Sequence, residues 1–267
     1  MPNLHRAWQC KSCGYIHQGA EPPEICPVCG ATRENFDPVE EGALPSPESK
    51  TEVRKTARVV VVGAGIAGIA AVESLLAAAP GVEITLISQE TELPYYRLNL
   101  TRYLAGEIKR ETLPIHSAAW YQERNIRLLL GAEVRELDLE GHAVELRDGK
   151  RLPFDKLLLS AGASPFVPPI PGADCEGVTS LRTLQDADHL LRACQSGARC
   201  VCIGGGILGL ETAGALARRG AKVTLLEGHG WLLPRQLNQR AGEILGDHAC
   251  RVGITIRNKA LHFLKSV

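Results

Sequence analysis

The chain has 267 residues, a formal net charge of +0, and contents of 45% hydrophobic and 22% charged residues. This balance argues against nucleic acid or an anionic membrane surface as the main partner, and the length allows about two domains. The N-terminus lacks the apolar segment of a signal peptide, and apolar stretches such as Lys156–Ala163 are too short to span a bilayer. We therefore expect a cytoplasmic protein with no membrane partner.

Four cysteines lie in two C-x-x-C pairs near the N-terminus, Cys10 with Cys13 and Cys26 with Cys29. In a reducing compartment this spacing is more typical of metal ligands than of disulfides. Two such turns bring four thiolates to one tetrahedral site, which suits iron or zinc. Residues 1–37 are too few for a large core, so we predict a small domain that folds around one metal ion.

Residues 38–56 are rich in proline, serine and charge, a composition that predicts a flexible linker. After the linker, the β-branched run Arg58–Val62 predicts a buried parallel strand. A glycine-rich turn, an alanine-rich helix to about Ala79 and a second strand at Glu83–Ser88 follow. The order strand, turn, helix, strand predicts a βαβ unit.

Short strands are predicted between this unit and a later one, within residues 126–160. Asp148-Gly149 has the composition of a hairpin turn. The last of these strands, Lys156–Ser160, is almost wholly apolar and is predicted to be buried.

A second βαβ unit follows, with a strand at Arg199–Ile203, a helix at Leu210–Arg219 and a strand at Lys222–Glu227. Cys200 and Cys202 are two residues apart in the first of these strands, so they face the same side of it. We interpret both as small hydrophobic core residues of a buried strand.

The glycine turn in each βαβ unit has the form G-x-G-x-x-G. In a dinucleotide-binding domain the first two glycines allow a tight turn against a pyrophosphate, and the third lets helix and strand pack closely. The helix that begins there presents free N–H groups to the phosphates. The predicted ligand glycines are Gly63, Gly65 and Gly68 in the first unit and Gly204, Gly206 and Gly209 in the second.

An acidic residue closes the second unit, where Glu227 stands eighteen residues after Gly209. A carboxylate at this place binds both ribose hydroxyls and repels a 2′-phosphate, so we predict NADH rather than NADPH at the second site. In the first unit the matching position is Ser88, and Glu90 just after it is the predicted ribose ligand.

Further motifs occur with the glycine turns in one order along the chain. Together they resemble a family of flavoproteins with two dinucleotide sites: ferredoxin reductases of oxygenase systems, rubredoxin reductases, and the flavin part of NADH-dependent nitrite reductases. The resemblance implies an α/β fold of two Rossmann-like domains that bind FAD first and NADH second. The motifs are Val62-Gly-Ala-Gly-Ile-Ala-Gly68, Leu93-Pro-Tyr-Tyr-Arg97, Leu159-Ser-Ala-Gly-Ala163, Pro169-Ile-Pro-Gly172 and Gly204-Gly-Gly-Ile-Leu-Gly-Leu-Glu211.

The resemblance also implies roles for single residues. Arg97 would contact the FAD phosphates and Val134 the adenine edge, while Ala161 and Gly162 would mark the crossover between the two domains. Two residues would act in catalysis. Glu211 would lie near the nicotinamide and the flavin, and Arg102 stands where the family has a lysine beside the flavin; arginine keeps the charge but not the compact ammonium group.

The N-terminal region resembles the rubredoxin-like module of rubrerythrins, through Trp8, Cys13-Gly-Tyr15 and Cys26-Pro27. Iron is favoured over zinc because zinc cannot change its oxidation state beside a redox flavoprotein. Disulfide reductases related to these flavoproteins carry cysteines beside the flavin, whereas residues 90–105 have none. The metal centre is therefore the expected electron acceptor.

Four regions follow from these patterns: a rubredoxin-like metal domain at 1–37, the linker at 38–56, an FAD-binding domain at 57–170 and an NAD-binding domain at 171–267. The resembled family continues beyond the second βαβ unit. We therefore expect the NAD-binding domain to be truncated and the FAD-binding domain to lack its C-terminal part.

The predicted function is an NADH-dependent flavoprotein oxidoreductase, which passes electrons from NADH through FAD to the tethered iron centre. The final acceptor is a further protein or a small oxidant. One alternative is the flavin portion of a nitrite reductase-like enzyme. The other is a zinc-binding interaction module on a degenerate flavoprotein.

Overall fold

The computed structural model describes residues 7–12, 14–28, 30–39 and 57–260. Cys13, Cys29 and most of the predicted linker lie outside these ranges. Within them the chain forms two compact units: unit 1 extends to Asn99 and includes Ile115–Ala161, and unit 2 contains Leu100–Pro114 and the chain from Gly162 onward. The domain bounds drawn from the sequence stay predictions. No helix within the described ranges is both long and apolar enough to cross a membrane.

The described residues contain strands and helices in the alternating order that the sequence predicts. The strands are β1 Ala7–Cys10, β2 Ile16–Gln18, β3 Phe36–Pro38, β4 Arg58–Val62, β5 Glu83–Ile87, β6 Arg127–Leu129, β7 Val134–Asp138, β8 Ala143–Leu146, β9 Arg151–Pro153, β10 Lys156–Leu159, β11 Arg199–Ile203, β12 Lys222–Leu226 and β13 Ile254–Arg257. The helices are α1 Ile66–Ala78, α2 Leu100–Ala105, α3 Ala118–Glu123, α4 Leu184–Ala193, α5 Ile207–Arg218 and α6 Gln239–Arg251.

Unit 1 begins with a small antiparallel sheet in the order β2-β1-β3. Its core is a cluster of the buried residues Cys10, Cys26, Val28 and Phe36. Two of the four residues in that core are predicted metal ligands. So small an apolar core stabilises little by itself, as expected of a domain that a metal ion holds together.

The rest of unit 1 consists of a parallel sheet in the order β10-β4-β5-β6 and an antiparallel sheet in the order β7-β8-β9. The valine run of β4 lies in the middle of the parallel sheet and is buried, as predicted. The Asp148-Gly149 turn joins β8 to β9, and the Lys150 N–H donates to the Asp148 carboxylate at 3.0 Å. The predicted hairpin is confirmed.

Unit 2 contains the second parallel sheet, in the order β11-β12-β13. Helices α5 and α6 follow β11 and β12, so this unit repeats the βαβ pattern. Its core includes the fully buried Leu104 of α2, Ala213 of α5 and Leu225 of β12.

Two strands predicted to be buried are only half covered, which corrects the sequence interpretation. Among the described strands β10 and β11 each lie at the edge of a sheet. Leu159 in β10 is 57% exposed and Val201 in β11 is 62% exposed. Cys200 and Cys202 do share one face and pack against the core of unit 2. An edge strand buries only the face turned to the helices, and an apolar run does not reveal that position.

The thiols of unit 2 give a prediction that chemical labelling can check. Burial raises the pKa of Cys202 to about 11, and burial with a hydrogen bond to Cys200 raises the pKa of Cys194 to about 12. Because the thiolate is the nucleophile, we expect iodoacetamide at about pH 8 to label the exposed Cys175 and Cys250 well before these two thiols.

The pH dependence has a definite sign. A raised pKa keeps the thiol protonated in the folded chain. The stabilisation from burying this thiol is therefore complete below the pKa of the thiol in the unfolded chain, about 8.5. It is lost as the pH rises through the higher pKa of the folded chain. Labelling of Cys202 in the folded chain should therefore keep rising up to about pH 11. Peptide mass spectrometry measures the rates, and urea-unfolded protein is the control. Equal labelling of Cys175 and Cys202 in the folded chain would contradict the prediction.

Candidate functional site

The first glycine turn joins β4 to α1 and has no room for side chains at two positions. Gly63 has φ +102°, and a Cβ there would overlap the backbone carbonyl of Ser160. A Cβ at Gly68 would overlap the Gly63 carbonyl oxygen. Gly65 differs, because apart from its chain neighbours no atom of the described residues lies within 4 Å of the place its Cβ would take. Gly63 and Gly68 are therefore required by the lack of space, whereas the space beside Gly65 is free for a ligand.

The second glycine turn, between β11 and α5, resembles the first in two respects: Gly204 has φ +106°, and a Cβ at Gly209 would overlap the Gly204 carbonyl oxygen. It differs at its first glycine, because a Cβ at Gly204 would meet no atom of the described residues within 4 Å apart from the neighbouring residues. At Gly206, as at Gly65, no described atom other than those of the chain neighbours lies within 4 Å of the Cβ position. Each unit therefore contains one such turn, with a positive φ at its first glycine, open space at its second and a close helix contact at its third.

Each turn places the start of a helix at the open space. The residues that cap α1 and α5 are Gly65 and Gly206, and neither helix has a side-chain cap or an acidic residue in its first turn. The first N–H groups of a helix lack partners within the helix, and the dipole makes this end positive. An open space in front of such a helix end fits a pyrophosphate.

The buried Glu227 side chain binds the backbone of the second glycine turn. Its side chain is 6% exposed, and its carboxylate accepts hydrogen bonds from the Gly205 N–H at 2.7 Å and the His229 N–H at 2.8 Å. A carboxylate has about four lone-pair sites, so these two bonds leave acceptor capacity for a ribose hydroxyl. The structure thus places the predicted ribose ligand against the glycine turn itself.

Glu90 and Arg97, two predicted ligands of the first site, contact each other. The Glu90 carboxylate accepts from the Arg97 guanidinium and from the Tyr95 hydroxyl at 2.6 Å. The Arg97 guanidinium in turn donates to the Tyr95 hydroxyl oxygen at 3.1 Å. The three side chains form one partly buried cluster, in which the opposite charges of Glu90 and Arg97 compensate each other.

Ser160 is a residue of the first site that the sequence interpretation missed. Its hydroxyl shares one proton between the Gly63 carbonyl oxygen at 2.8 Å and the Val62 carbonyl oxygen at 3.1 Å. Leu159, just before it, pairs with Val62 across the sheet. The signals in the sequence are a polar residue directly after an apolar strand and its place in the motif Leu159-Ser-Ala-Gly-Ala163.

The two predicted catalytic residues, Arg102 on α2 and Glu211 on α5, both belong to unit 2. Glu211 accepts a hydrogen bond from the Thr101 hydroxyl at 3.1 Å. Arg102 donates from Nε to Glu107 at 3.3 Å. The structure therefore brings Glu211 to the residue that precedes Arg102, while Arg102 itself pairs with another carboxylate.

The remaining predicted cofactor residues lie at the ends of elements. Val134 is the first residue of β7 and packs against the cluster around Val144 and Leu146. Ala161 and Gly162 are exposed, and the chain passes from unit 1 to unit 2 between them. Gly162 has φ +75°, a backbone conformation that favours glycine.

The two cysteine turns of the N-terminal sheet have matching backbones. The Cys10 N–H donates to the Tyr15 carbonyl and the Gly14 N–H to the Cys10 carbonyl, both at 2.8 Å. In the second turn the Cys26 N–H donates to the Ala31 carbonyl at 2.7 Å and the Gly30 N–H to the Cys26 carbonyl at 2.9 Å.

The two described cysteines at these turns, Cys10 and Cys26, are each 1% exposed. Two matching turns with buried cysteines fit one metal ion bound by four thiolates, for which Cys13 and Cys29 would be the partners of Cys10 and Cys26. Among the described residues, which omit Cys13 and Cys29, no group of three or more candidate ligands forms.

Tyr96 is a second residue that the sequence interpretation missed. It follows Tyr95 in the loop before Arg97, yet its side chain packs against the cysteine cluster of the N-terminal sheet, together with Trp8 and Tyr15. Burial, followed by the nearby Tyr15, Glu73 and Cys26, raises the pKa of the Tyr96 phenol. The N-terminal sheet therefore contacts the rest of unit 1 through an aromatic side chain.

Comparison with known families matches two separate stretches of the chain. The profile described as pyridine nucleotide-disulphide oxidoreductase matches residues 57–262. The profile described as rubrerythrin, rubredoxin-like domain matches residues 8–37. The two stretches are those in which the glycine turns and the cysteine turns lie.

Individual relatives agree with the family matches. The chain is 36% identical over 200 residues to nitrite reductase [NAD(P)H] of Bacillus subtilis (strain 168), covering 74% of this chain and 25% of the relative. It is 34% identical over 203 residues to the ferredoxin--NAD(+) reductase component of the biphenyl dioxygenase system of Paraburkholderia xenovorans (strain LB400), covering 76% and 50%.

A solved structure agrees with these family matches. NADH:rubredoxin oxidoreductase from Clostridium acetobutylicum superposes with a TM-score of 0.69 at 30% identity, covering 76% of this chain and 53% of that one. The chain thus spans half or less of the length of these two curated relatives and about half of this structure.

Proposed function

The chain belongs to the pyridine nucleotide-disulphide oxidoreductase family and carries a rubredoxin-like domain, and on that premise we propose that it takes electrons from NADH and delivers them, through FAD, to a metal centre in that domain. The observation that carries the proposal is the pair of glycine turns, each with a positive φ at its first glycine and open space at its second, in front of a helix without a side-chain cap. Two dinucleotides, FAD and NADH, fit two such turns.

FAD in the first turn would be held by residues of unit 1. The open space at Gly65 and the free N–H groups of α1 suit its pyrophosphate, while Ser160 fixes the Gly63 carbonyl. Glu90 is proposed to bind the ribose of FAD, and Arg97 its phosphates. Each side chain would then hydrogen-bond both to the other and to the cofactor. Bound FAD supplies the step from hydride transfer to single-electron transfer.

NADH at the second turn would be held by residues of unit 2. Gly206 leaves space for the pyrophosphate, and the buried Glu227 carboxylate offers its remaining lone pairs to the ribose hydroxyls. Because this carboxylate would repel a 2′-phosphate, NADPH is the poorer donor. Glu211 and Arg102 are proposed at the reacting end of the nicotinamide, where they would orient it.

The metal in the rubredoxin-like domain is proposed to be iron, bound by Cys10, Cys13, Cys26 and Cys29. Iron changes its oxidation state and zinc does not, so only iron accepts an electron from the flavin. The acceptor beyond the iron centre is proposed to be a protein or a small oxidant. The match to nitrite reductase favours a second candidate, in which the chain is the flavin portion of a nitrite reductase-like enzyme.

Metal analysis and anaerobic spectroscopy of the purified chain test the proposal. We expect one iron per chain and a red colour, which NADH bleaches when FAD is present and NADPH bleaches more slowly. A colourless protein with one zinc would overturn the electron-transfer function and leave a zinc-binding interaction module. A red protein that NADH and FAD fail to bleach would overturn the proposed route to the metal.

A further inference from the structure

We propose that Tyr96 is the docking residue that seats the rubredoxin-like domain on the FAD-binding part of unit 1, with the Cys26 turn facing that surface. The inference deepens the proposed function and rests on it for the identity of the two partners. The docked partner is a defined segment of this same chain, residues 7–39.

The first argument is the packing of Tyr96. The small domain has a core of Cys10, Cys26, Val28 and Phe36, and the partly buried side chain of Tyr96 packs against this core from outside the domain. An aromatic ring contributes a large apolar area with little loss of conformational freedom, and its hydroxyl suits a half-wet boundary. Tyrosine is accordingly frequent at the energetic centre of interfaces.

The second argument is what lies on the two sides of Tyr96. On the side of the small domain, Tyr96 packs against the cluster that contains Cys26, and Tyr15 packs against the same cluster. On the other side, its chain neighbour Tyr95 is buried and donates a hydrogen bond to Glu90 at 2.6 Å. Tyr96 therefore connects a predicted metal ligand to the loop that carries Arg97 and contacts Glu90, the two residues proposed to bind FAD.

The third argument concerns the tether. Pro38 ends strand β3 and the Val39 N–H donates to the Ala7 carbonyl, so the tether of the predicted linker is residues 40–56. A linker of that length holds a domain at an effective concentration of the order of millimolar, so even a weak contact surface is occupied most of the time. A tether alone lets the domain face its partner in any orientation. An aromatic contact beside Cys26 selects one orientation, and that is the positioning role assigned to Tyr96.

Site-specific photocrosslinking of the metal-loaded full chain tests the docking. With p-benzoyl-phenylalanine in place of Tyr96, we expect a crosslink to peptides from residues 14–28. The same photoreactive residue in place of Leu139, an exposed position of unit 1, is the matched control and should give no crosslink to those peptides. A crosslink from position 96 only to other parts of unit 1, or equal yields from both positions, would overturn the proposal.

Hydrogen exchange of two variants separates the packing of the Tyr96 ring from the contribution of its hydroxyl. Tyr96→Ala should accelerate exchange in peptides of residues 14–28, and Tyr96→Phe should leave it unchanged. Unchanged exchange of these peptides in Tyr96→Ala would overturn the proposal. If Tyr96→Ala unfolds unit 1, the photocrosslinking result alone tests the docking. Neither measurement uses NADH. A chain that crosslinks but is not bleached by NADH retains the docking and contradicts only the proposed electron transfer.

Discussion

Replacing Gly65 with alanine is expected to weaken FAD binding by about 10- to 100-fold, since overpacking costs about 1–3 kcal/mol, and to leave the stability of unit 1 almost unchanged. Apart from the chain neighbours of residue 65, no described atom lies within 4 Å of the new methyl group. The backbone at Gly65 is extended, with φ −77°, which alanine adopts freely. The methyl group would occupy the space proposed for the pyrophosphate. FAD fluorescence titration and thermal unfolding measure the two effects.

Two matched variants make the result specific. Gly206→Ala has the same open surroundings in the second turn, so it should weaken NADH binding and leave FAD binding intact. Gly63→Ala should unfold the first turn, because the new Cβ would overlap the Ser160 carbonyl and the residue has φ +102°. A wild-type chain that binds FAD no better than Gly65→Ala, or a Gly65→Ala variant as unstable as Gly63→Ala, would contradict this account.

The glycine turns show why much of this fold was predictable from the sequence. Gly63 and Gly204 have positive φ, and Gly68 and Gly209 face a carbonyl that a Cβ would overlap. Each requirement leaves glycine as the residue that fits. The β-branched run before each turn then sets the strand, and the alternation of strand and helix sets the parallel sheet.

The exposure of the edge strands was not predictable in the same way. Leu159 and Val201 lie in apolar runs as continuous as that of β4, yet both are more than half exposed. Strand order depends on contacts between segments far apart in the chain, here β10 with β4. The sequence of a strand does not state which neighbours it has.

The hydrogen-bond and packing partners of the site residues could not be predicted from the sequence, for a related reason. Glu90 was predicted as a ligand from its position after a strand, and Arg97 from the family resemblance. Their contact with one another depends on how the loop through Tyr95 folds back. Tyr96 reaches a core whose cysteines lie seventy or more residues earlier in the chain. Such long-range pairs leave no periodic signal.

Replacing Cys26 with alanine is expected to unfold the rubredoxin-like domain and abolish metal binding, while residues 57–260 keep their fold. Its core holds few residues beside the two buried cysteines, so the metal would supply most of the folding free energy, about 10–16 kcal/mol for a comparable structural site. Metal content, and hydrogen exchange in residues 7–39 and 57–260, measure the two parts. Cys175→Ala is the control, because Cys175 is exposed and distant from the cysteine turns in sequence.

The same variant also connects metal binding to docking. If Tyr96 seats the folded domain, loss of the metal removes the surface against which Tyr96 packs, so peptides containing Tyr96 should exchange faster in Cys26→Ala than in Cys175→Ala. Helix α1 and strand β4 should not change, because their core around Val61 and Val72 lies apart from the cysteine cluster. A Cys26→Ala chain that keeps its metal and its protection in residues 7–39 would contradict the four-thiolate site.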